Sequence, residues 1–215
     1  MTRSGGYSYW ERIAPNFDRF NDRIVGRETE EIIDRWLSDN LKPGDAVLEM
    51  GCGTGRHAET YAAKVSALTA VDQAPAMVEL SRKRLESFEN VAVLREDCFH
   101  TSFEDASFDA VVMGNLLHIV RPPEGIIKEA FRLLKPKGRL MAFDYTGKGM
   151  SPFALLLMMF RILTSWGLPS TDNRMVDPKM LGRMVSGAGF DVRESALVGP
   201  TNKAVLILAE KPSPQ

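Results

Sequence analysis

Gly51, Gly53 and Gly55 stand at alternate positions directly after Ala46–Met50, an apolar run interrupted only by Glu49. A short apolar run, closed by glycines and followed from Arg56 by a segment able to form a helix, spells strand, tight turn, helix. Glycine accepts positive φ and carries no side chain, so such a turn lets backbone approach a ligand closely. The first amides of the following helix then face an anion. A plain strand-to-helix turn needs only one glycine; three of them after an acid point to a nucleotide-like ligand. Asp72, with Gln73 beside it, closes a second apolar run, Ala67–Asp72. A carboxylate there can accept both hydroxyls of a ribose cis-diol, although Asp is also a common helix-opening residue. His118 follows Asn115 at the end of a later run, Ser107–Gly114. It is the candidate acid–base group, because imidazole changes charge near neutral pH.

These residues need strands and helices to bring them together. The spacing of Tyr9, Ile13, Phe17, Phe20 and Ile24 is nearly helical, with Pro15 dividing it into two short helices, and Glu28–Asn40 predicts a third. Strands are expected at Ala46–Met50, Ala67–Asp72, Val91–Leu94, Ser107–Gly114 and Arg139–Tyr145, separated by helices at Arg56–Lys64, Ala76–Phe88 and Pro123–Leu134. Alternation of strand and helix implies a doubly wound, mostly parallel α/β sheet. Ligands bind such sheets outside the carboxyl ends of the strands, where Asn115 and His118 fall. A helix at Asp177–Ala188 and two strands, Phe190–Val198 and Ala204–Glu210, complete a seven-stranded sheet with an antiparallel strand.

The composition is that of one globular domain across 1–215, with 44% hydrophobic and 26% charged residues. Within it lie N-terminal helices (1–40), a ligand-binding core (45–145), a variable insertion (146–180), and a C-terminal helix and strand pair (181–210). A net charge of −1 does not favour a protein that tracks nucleic-acid phosphates. Two cysteines and three histidines sit at no metal-finger spacing, so no metal is expected and a reducing cytoplasm fits. Phe153–Phe160 is continuously apolar but too short to span a bilayer. A helix apolar all round is either buried or faces lipid; both readings stand, the second implying peripheral membrane contact.

Glu49-Met50-Gly51-Cys52-Gly53-Thr54-Gly55 resembles motif I of the class I S-adenosylmethionine-dependent methyltransferases, E/D-x-G-x-G-x-G. The likeness extends through Phe108-Asp109-Ala110-Val111-Val112 and the Leu133–Leu140 turn, where Lys137 replaces the usual first glycine. Phe17-Asp18-Arg19-Phe20-Asn21 resembles a segment of the ubiquinone, menaquinone and phospholipid methyltransferases, with Phe17 where Tyr is frequent. The resemblance implies a Rossmann-like fold with a helical cap and S-adenosylmethionine as cofactor, S-adenosylhomocysteine being the product. It assigns the cofactor to Glu49, Gly51, Cys52, Gly53, Gly55, Asp72, Gln73, Met77, Asp97, Cys98 and Asn115. Asp97 would take the adenine amine, Met77 would pack on the ring or simply fill core, and Asn115 would hold the methionine part. His118 either contacts the acceptor or forms a shelf beneath the cofactor. The acceptor expected is small or lipophilic, a quinol-like ring or a phospholipid amine. Two alternatives keep part of the pattern: a catalytically silent cofactor- or lipid-binding protein of the same fold, and a nicotinamide oxidoreductase. The latter needs its third glycine one residue later and gives Asp97 no purpose.

Overall fold

A computed structural model describes residues 5–165 and 175–213. Pro15 interrupts the first apolar stretch, because proline has no N–H to donate to a helix. The chain accordingly forms α1 (Gly5–Ile13), a single 3-10 turn, α2 (Phe17–Val25) and, beyond a positive-φ Gly26, α3 (Arg27–Asn40). Then follow β1 (Ala46–Met50), α4 (Arg56–Tyr61), β2 (Ala67–Asp72), α5 (Pro75–Leu85), β3 (Val91–Arg95), β4 (Phe108–Gly114) and α6 (Pro123–Leu133). The chain continues through β5 (Leu134–Thr146), α7 (Pro152–Ser165), α8 (Pro178–Gly187), β6 (Asp191–Val198) and β7 (Lys203–Glu210). Asp177 caps α8 by accepting from the Met180 amide at 2.9 Å, as an acid before a helix should.

The seven strands form one sheet in the order β3-β2-β1-β4-β5-β7-β6. Pairing is parallel from β3 to β5, and β7 runs antiparallel to both neighbours. The order reverses at β1, whose neighbours are β2 and β4, so a crevice opens at the carboxyl ends there. Side chains alternate across each strand. Leu140 and Ala142 of β5 face a core that contains Ile126, Leu181 and Val185 of α6 and α8. Met141 and Phe143 face the opposite core, with Ile33 and Leu37 of α3 and Tyr61 of α4. Continuing the alternation sends Asp144 and Tyr145 to opposite faces, which decides their partners in the site.

One boundary differs from the sequence reading, and one question that reading left open is decided. β5 begins at Leu134 rather than Arg139, because the Lys-Pro-Lys-Gly turn pairs with the C-terminal chain: Lys137 donates to the Lys211 carbonyl at 2.8 Å, and Lys211 donates to that of Gly138 at 2.9 Å. α7 is largely not core. Of its residues only Ala154 is buried, while Phe153 (76% exposed), Leu156 (68%), Phe160 (57%) and Leu163 (51%) look outward. Uniform apolarity gives no moment to say which side of a helix is covered. Among the described residues no helix is long and apolar enough to cross a membrane.

Lys137 has φ of +64°, a region that costs a side-chain-bearing residue about 1–2 kcal/mol. Glycine avoids that cost but loses more chain entropy on folding. The expected net gain for Lys137→Gly is about 0.5–1 kcal/mol, seen as a higher urea midpoint at unchanged slope. An unchanged or lower midpoint would show that the turn carries no such strain.

Candidate functional site

The glycine turn after β1 is held open from the next strand. Asp72 Oδ2 accepts from the Gly53 amide at 3.0 Å and Oδ1 from the Ala74 amide at 2.8 Å. The Asp72 carboxyl is pushed up by burial, against the pull of those backbone donors. The Gln73 backbone also bonds this carboxylate; of its roughly four lone-pair sites, capacity remains for a ligand hydroxyl. Gly51, Gly53 and Gly55 all have positive φ, but for different ends. A Cβ on Gly51 would lie 2.9 Å from Leu116 Cδ1, and one on Gly55 2.6 Å from Ser81 Oγ; around Gly53 nothing lies within 4 Å. Gly51 and Gly55 are demanded by packing, whereas Gly53 leaves open space that a ligand can approach.

That space is a cavity of about 320 Å³. Ten of the eleven residues assigned to the cofactor line it: Glu49, Gly51, Cys52, Gly53, Asp72, Gln73, Met77, Asp97, Cys98 and Asn115. Gly55 does not, being the residue that opens α4 against α5. Asp97 Oδ1 accepts from the Phe99 amide at 3.0 Å. Asn115 has φ of +55°, a conformation asparagine tolerates, and its Oδ1 accepts from the Tyr145 amide at 3.3 Å. Burial raises Cys98 to about 12 and Cys52 well above the ordinary thiol range. Both thiols stay protonated at neutral pH, which fits space-filling walls better than nucleophiles.

Behind the turn, Glu49 is 2% exposed and accepts from the Tyr61 hydroxyl. Burial lifts its carboxyl to about 7, with the Asp34 and Asp72 charges adding to the shift and Tyr61 and His57 opposing it. His57 Nδ1 lies 2.9 Å from Asp34 Oδ1 and Nε2 lies 3.6 Å from Glu30 Oε2. Burial disfavours the imidazolium, but the Asp34 bond and the Glu30 charge outweigh it and raise the His57 pKa.

The N-terminal helices close over the turn through polar clamps that local spacing did not reveal. Thr54 donates to Asp18 Oδ1 at 2.7 Å, Asp18 pairs with Arg84 of α5, and Asp22 pairs with Arg56 of α4. Asn21 Nδ2 donates to Glu30 at 2.5 Å. Trp10, Phe17, Asn21, Arg56, His57 and Tyr145 thereby join the cavity wall. His118 stands elsewhere. Its Nδ1 lies 2.7 Å from Asp144 Oδ1, and it is absent from the cavity lining. Asp144 is fully buried on the α6/α8 face. Among the described residues no group of three or more His, Cys, Asp or Glu is arranged to hold a metal.

Residues 48–142 match the model of a methyltransferase domain family. The chain is 34% identical over 119 residues to a demethylmenaquinone methyltransferase of Tropheryma whipplei (strain Twist), covering 54% of this chain and 49% of that protein. It is 27% identical over 168 residues to a 2-phytyl-1,4-naphtoquinone methyltransferase of Thermosynechococcus vestitus, covering 75% and 72% respectively. It spans about half the length of the first of these relatives. A solved SAM-dependent methyltransferase from Thermotoga maritima superposes with a TM-score of 0.72 at 23% identity, covering 95% of this chain and 99% of that one. Residues 48–142 thus resemble a methyltransferase domain, set in the Rossmann-like fold of the class I S-adenosylmethionine-dependent methyltransferases. S-adenosylmethionine is the cofactor this class implies. The residues fit it: an open approach at Gly53, spare acceptor capacity on Asp72, and Asp97 and Met77 along the same cavity.

Because Glu49 is raised from the usual 4.5 to about 7, the folded protein keeps a proton there that the unfolded chain has already lost. Stability must therefore fall as pH rises from about 4.5 to 7, by up to about 3 kcal/mol from this group. Glu49→Gln is expected to remove that slope, so wild-type and variant unfolding free energies diverge across the window. Parallel curves between those pH values would show that Glu49 ionises normally.

Proposed function

We propose that this protein transfers the methyl group of S-adenosylmethionine to a lipophilic, quinol-type acceptor. The observation that carries the reading is the convergence of Gly53, Asp72 and Asp97 on one cavity, whose wall continues through Trp10, Phe17 and Tyr145. When bound, the cofactor supplies an activated methyl on a sulfonium. The protein's own work is then placement. Gly53 admits the ligand to the backbone, Asp72 accepts ribose hydroxyls, and Asp97 takes the adenine amine. Alignment of two reactants is worth about 7–11 kcal/mol when well executed.

α7 supports the lipophilic half of the reading. Leu155 and Met158 are the nearest neighbours a Cβ on Gly147 would meet besides Met175, so the helix lies over the carboxyl end of β5, two residues beyond cavity-lining Tyr145. Its outward Phe153, Leu156, Phe160 and Leu163 suit an isoprenoid tail or the membrane that carries one. The two relatives above are named for quinone substrates, which favours a ring acceptor over a phospholipid amine. His118, paired with Asp144 away from the cavity lining, fits a supporting role beneath the loop after β4 better than contact with the acceptor.

Titration calorimetry with S-adenosylmethionine tests the cofactor half. Asp72→Ala is expected to weaken binding by about 1.5–3 kcal/mol, the usual range for hydrogen bonds to a charged group, and Gly53→Val to abolish it by filling the open space. Normal affinity in a folded Gly53→Val protein would reject the site. NADH is expected not to bind.

The acceptor half is tested with Phe153→Ser combined with Phe160→Ser. Burying such a side chain is worth about 1.5–3 kcal/mol, so kcat/KM for a prenyl-tailed demethylmenaquinol should fall about tenfold or more. The rate on a tail-less naphthoquinol should not change, and sedimentation with phospholipid vesicles should weaken. Equal effects on both acceptors would detach α7 from tail recognition.

A further inference from the structure

The cavity has a second wall, on the α3 face of the sheet, formed by residues outside the set assigned to the cofactor. Tyr145 of β5 and Asn21 of α2 line it. Behind them Glu30 of α3 is 2% exposed, and its Oε1 accepts from both the Tyr145 hydroxyl and Asn21 Nδ2 at 2.5 Å each. Asn21 Oδ1 is buried without a hydrogen-bond partner; Glu30 Oε2 also accepts none but faces His57 Nε2 at 3.6 Å. Asn21 is itself 3% exposed. Buried acceptors of this kind are costly in a finished core. Asn21 lines the cavity, so its free oxygen matches a ligand that brings a hydroxyl. The Tyr145 hydroxyl has its proton engaged with Glu30, so the oxygen's remaining lone pairs are what it can offer a ligand.

We propose, resting on the methyltransferase reading above, that Tyr145 and Glu30 form a proton relay for a hydroxylated acceptor, with Asn21 orienting the hydroxyl. The acceptor's O–H bond breaks as its proton passes to Tyr145 Oη. The Tyr145 proton moves along its existing hydrogen bond to Glu30. The electron pair released forms the bond to the methyl carbon, through the oxygen or a ring carbon conjugated with it, while the carbon–sulfur pair stays on sulfur. One positive charge thus leaves sulfur, and Glu30 ends neutral with the proton. Tyr145 contacts the acceptor and is the catalytic residue; Glu30 acts through it and is a positioning residue.

The surroundings suit this division. Burial, and then the Glu30 carboxylate, push the Tyr145 phenol well above its ordinary value, so it passes a proton on rather than holding the charge. The groups facing Glu30 are Tyr145, Asn21, His57 from α4 at 3.6 Å, and, through its charge, Arg56. His57 is bound in turn to Asp34 of α3. Arg56 and the His57 imidazole thus stand beside the Glu30 carboxylate.

The test uses Tyr145→Phe and Glu30→Gln, with S-adenosylmethionine and a 1,4-naphthoquinol as probes. At pH 7 both variants should lose at least tenfold in kcat while cofactor affinity stays within twofold of wild type. Phenols ionise on their own near pH 10, so the deficit should shrink as pH rises toward that value. A merely structural role gives a deficit that does not change with pH, and that result, or wild-type kcat in Tyr145→Phe, overturns the relay. Tyr145→Phe removes a single oxygen and carries the test if Glu30→Gln fails to fold. Wild-type protein that binds the cofactor but methylates no hydroxylated ring also overturns the relay and leaves the cofactor site standing. Wild-type protein that does not bind S-adenosylmethionine overturns the reading beneath both.

Discussion

The Asp72 carboxylate and the Gly53 amide, 3.0 Å apart, form the contact on which the site depends. It joins the carboxyl end of β2 to the turn after β1, across the strand pair where the sheet order reverses. A glycine turn on its own has many conformations, and its freedom is an entropic cost. Anchoring the turn to a neighbouring strand selects the one in which Gly53 faces open space. The same carboxylate then presents its remaining lone pairs to the cavity. One side chain therefore sets the shape of the turn and the polarity of its rim. Burial makes its charge expensive, and the backbone amides of Gly53 and Ala74 partly offset that expense.

A second set of contacts ties the N-terminal helices to this frame. Asp18 meets Thr54 and Arg84, Asp22 meets Arg56, and Asn21 meets Glu30. The Asp18 and Asp22 pairs are partly exposed, so each contributes little to global stability. Their effect is on position: they hold α2 as a wall of the cavity. Opposite faces of β5 then serve opposite purposes. Asp144 binds His118 among the α6 and α8 residues, and Tyr145 reaches Glu30 on the α3 side.

What could be read from the sequence was what local spacing encodes. The Glu49–Gly55 motif, the acids ending the second and third strands, and the strand–helix alternation each lie within a few consecutive residues, and the structure places ten of those assigned residues around one cavity. The Glu30–Tyr145 contact was not legible: Glu30 sits in an amphipathic helix, and Tyr145 is 115 positions away. His57 resembled any polar helix residue until Asp34 and Glu30 closed on it. Gly55 matched the motif but serves packing against Ser81. For α7 the sequence left burial and lipid exposure open, since an all-apolar helix has no polar face to mark the outside.

The proposed methyl transfer requires that adenosine lie between Asp72 and Asp97 with its sulfur end directed past Asn115 toward Tyr145. A crystal structure with S-adenosylhomocysteine tests this directly. Density is expected for both ribose hydroxyls on Asp72, for the adenine amine on Asp97, and for the sulfur on the Asn115 and Tyr145 side of the cavity. Ligand density elsewhere, or an adenosine turned so that neither acid touches it, would contradict it.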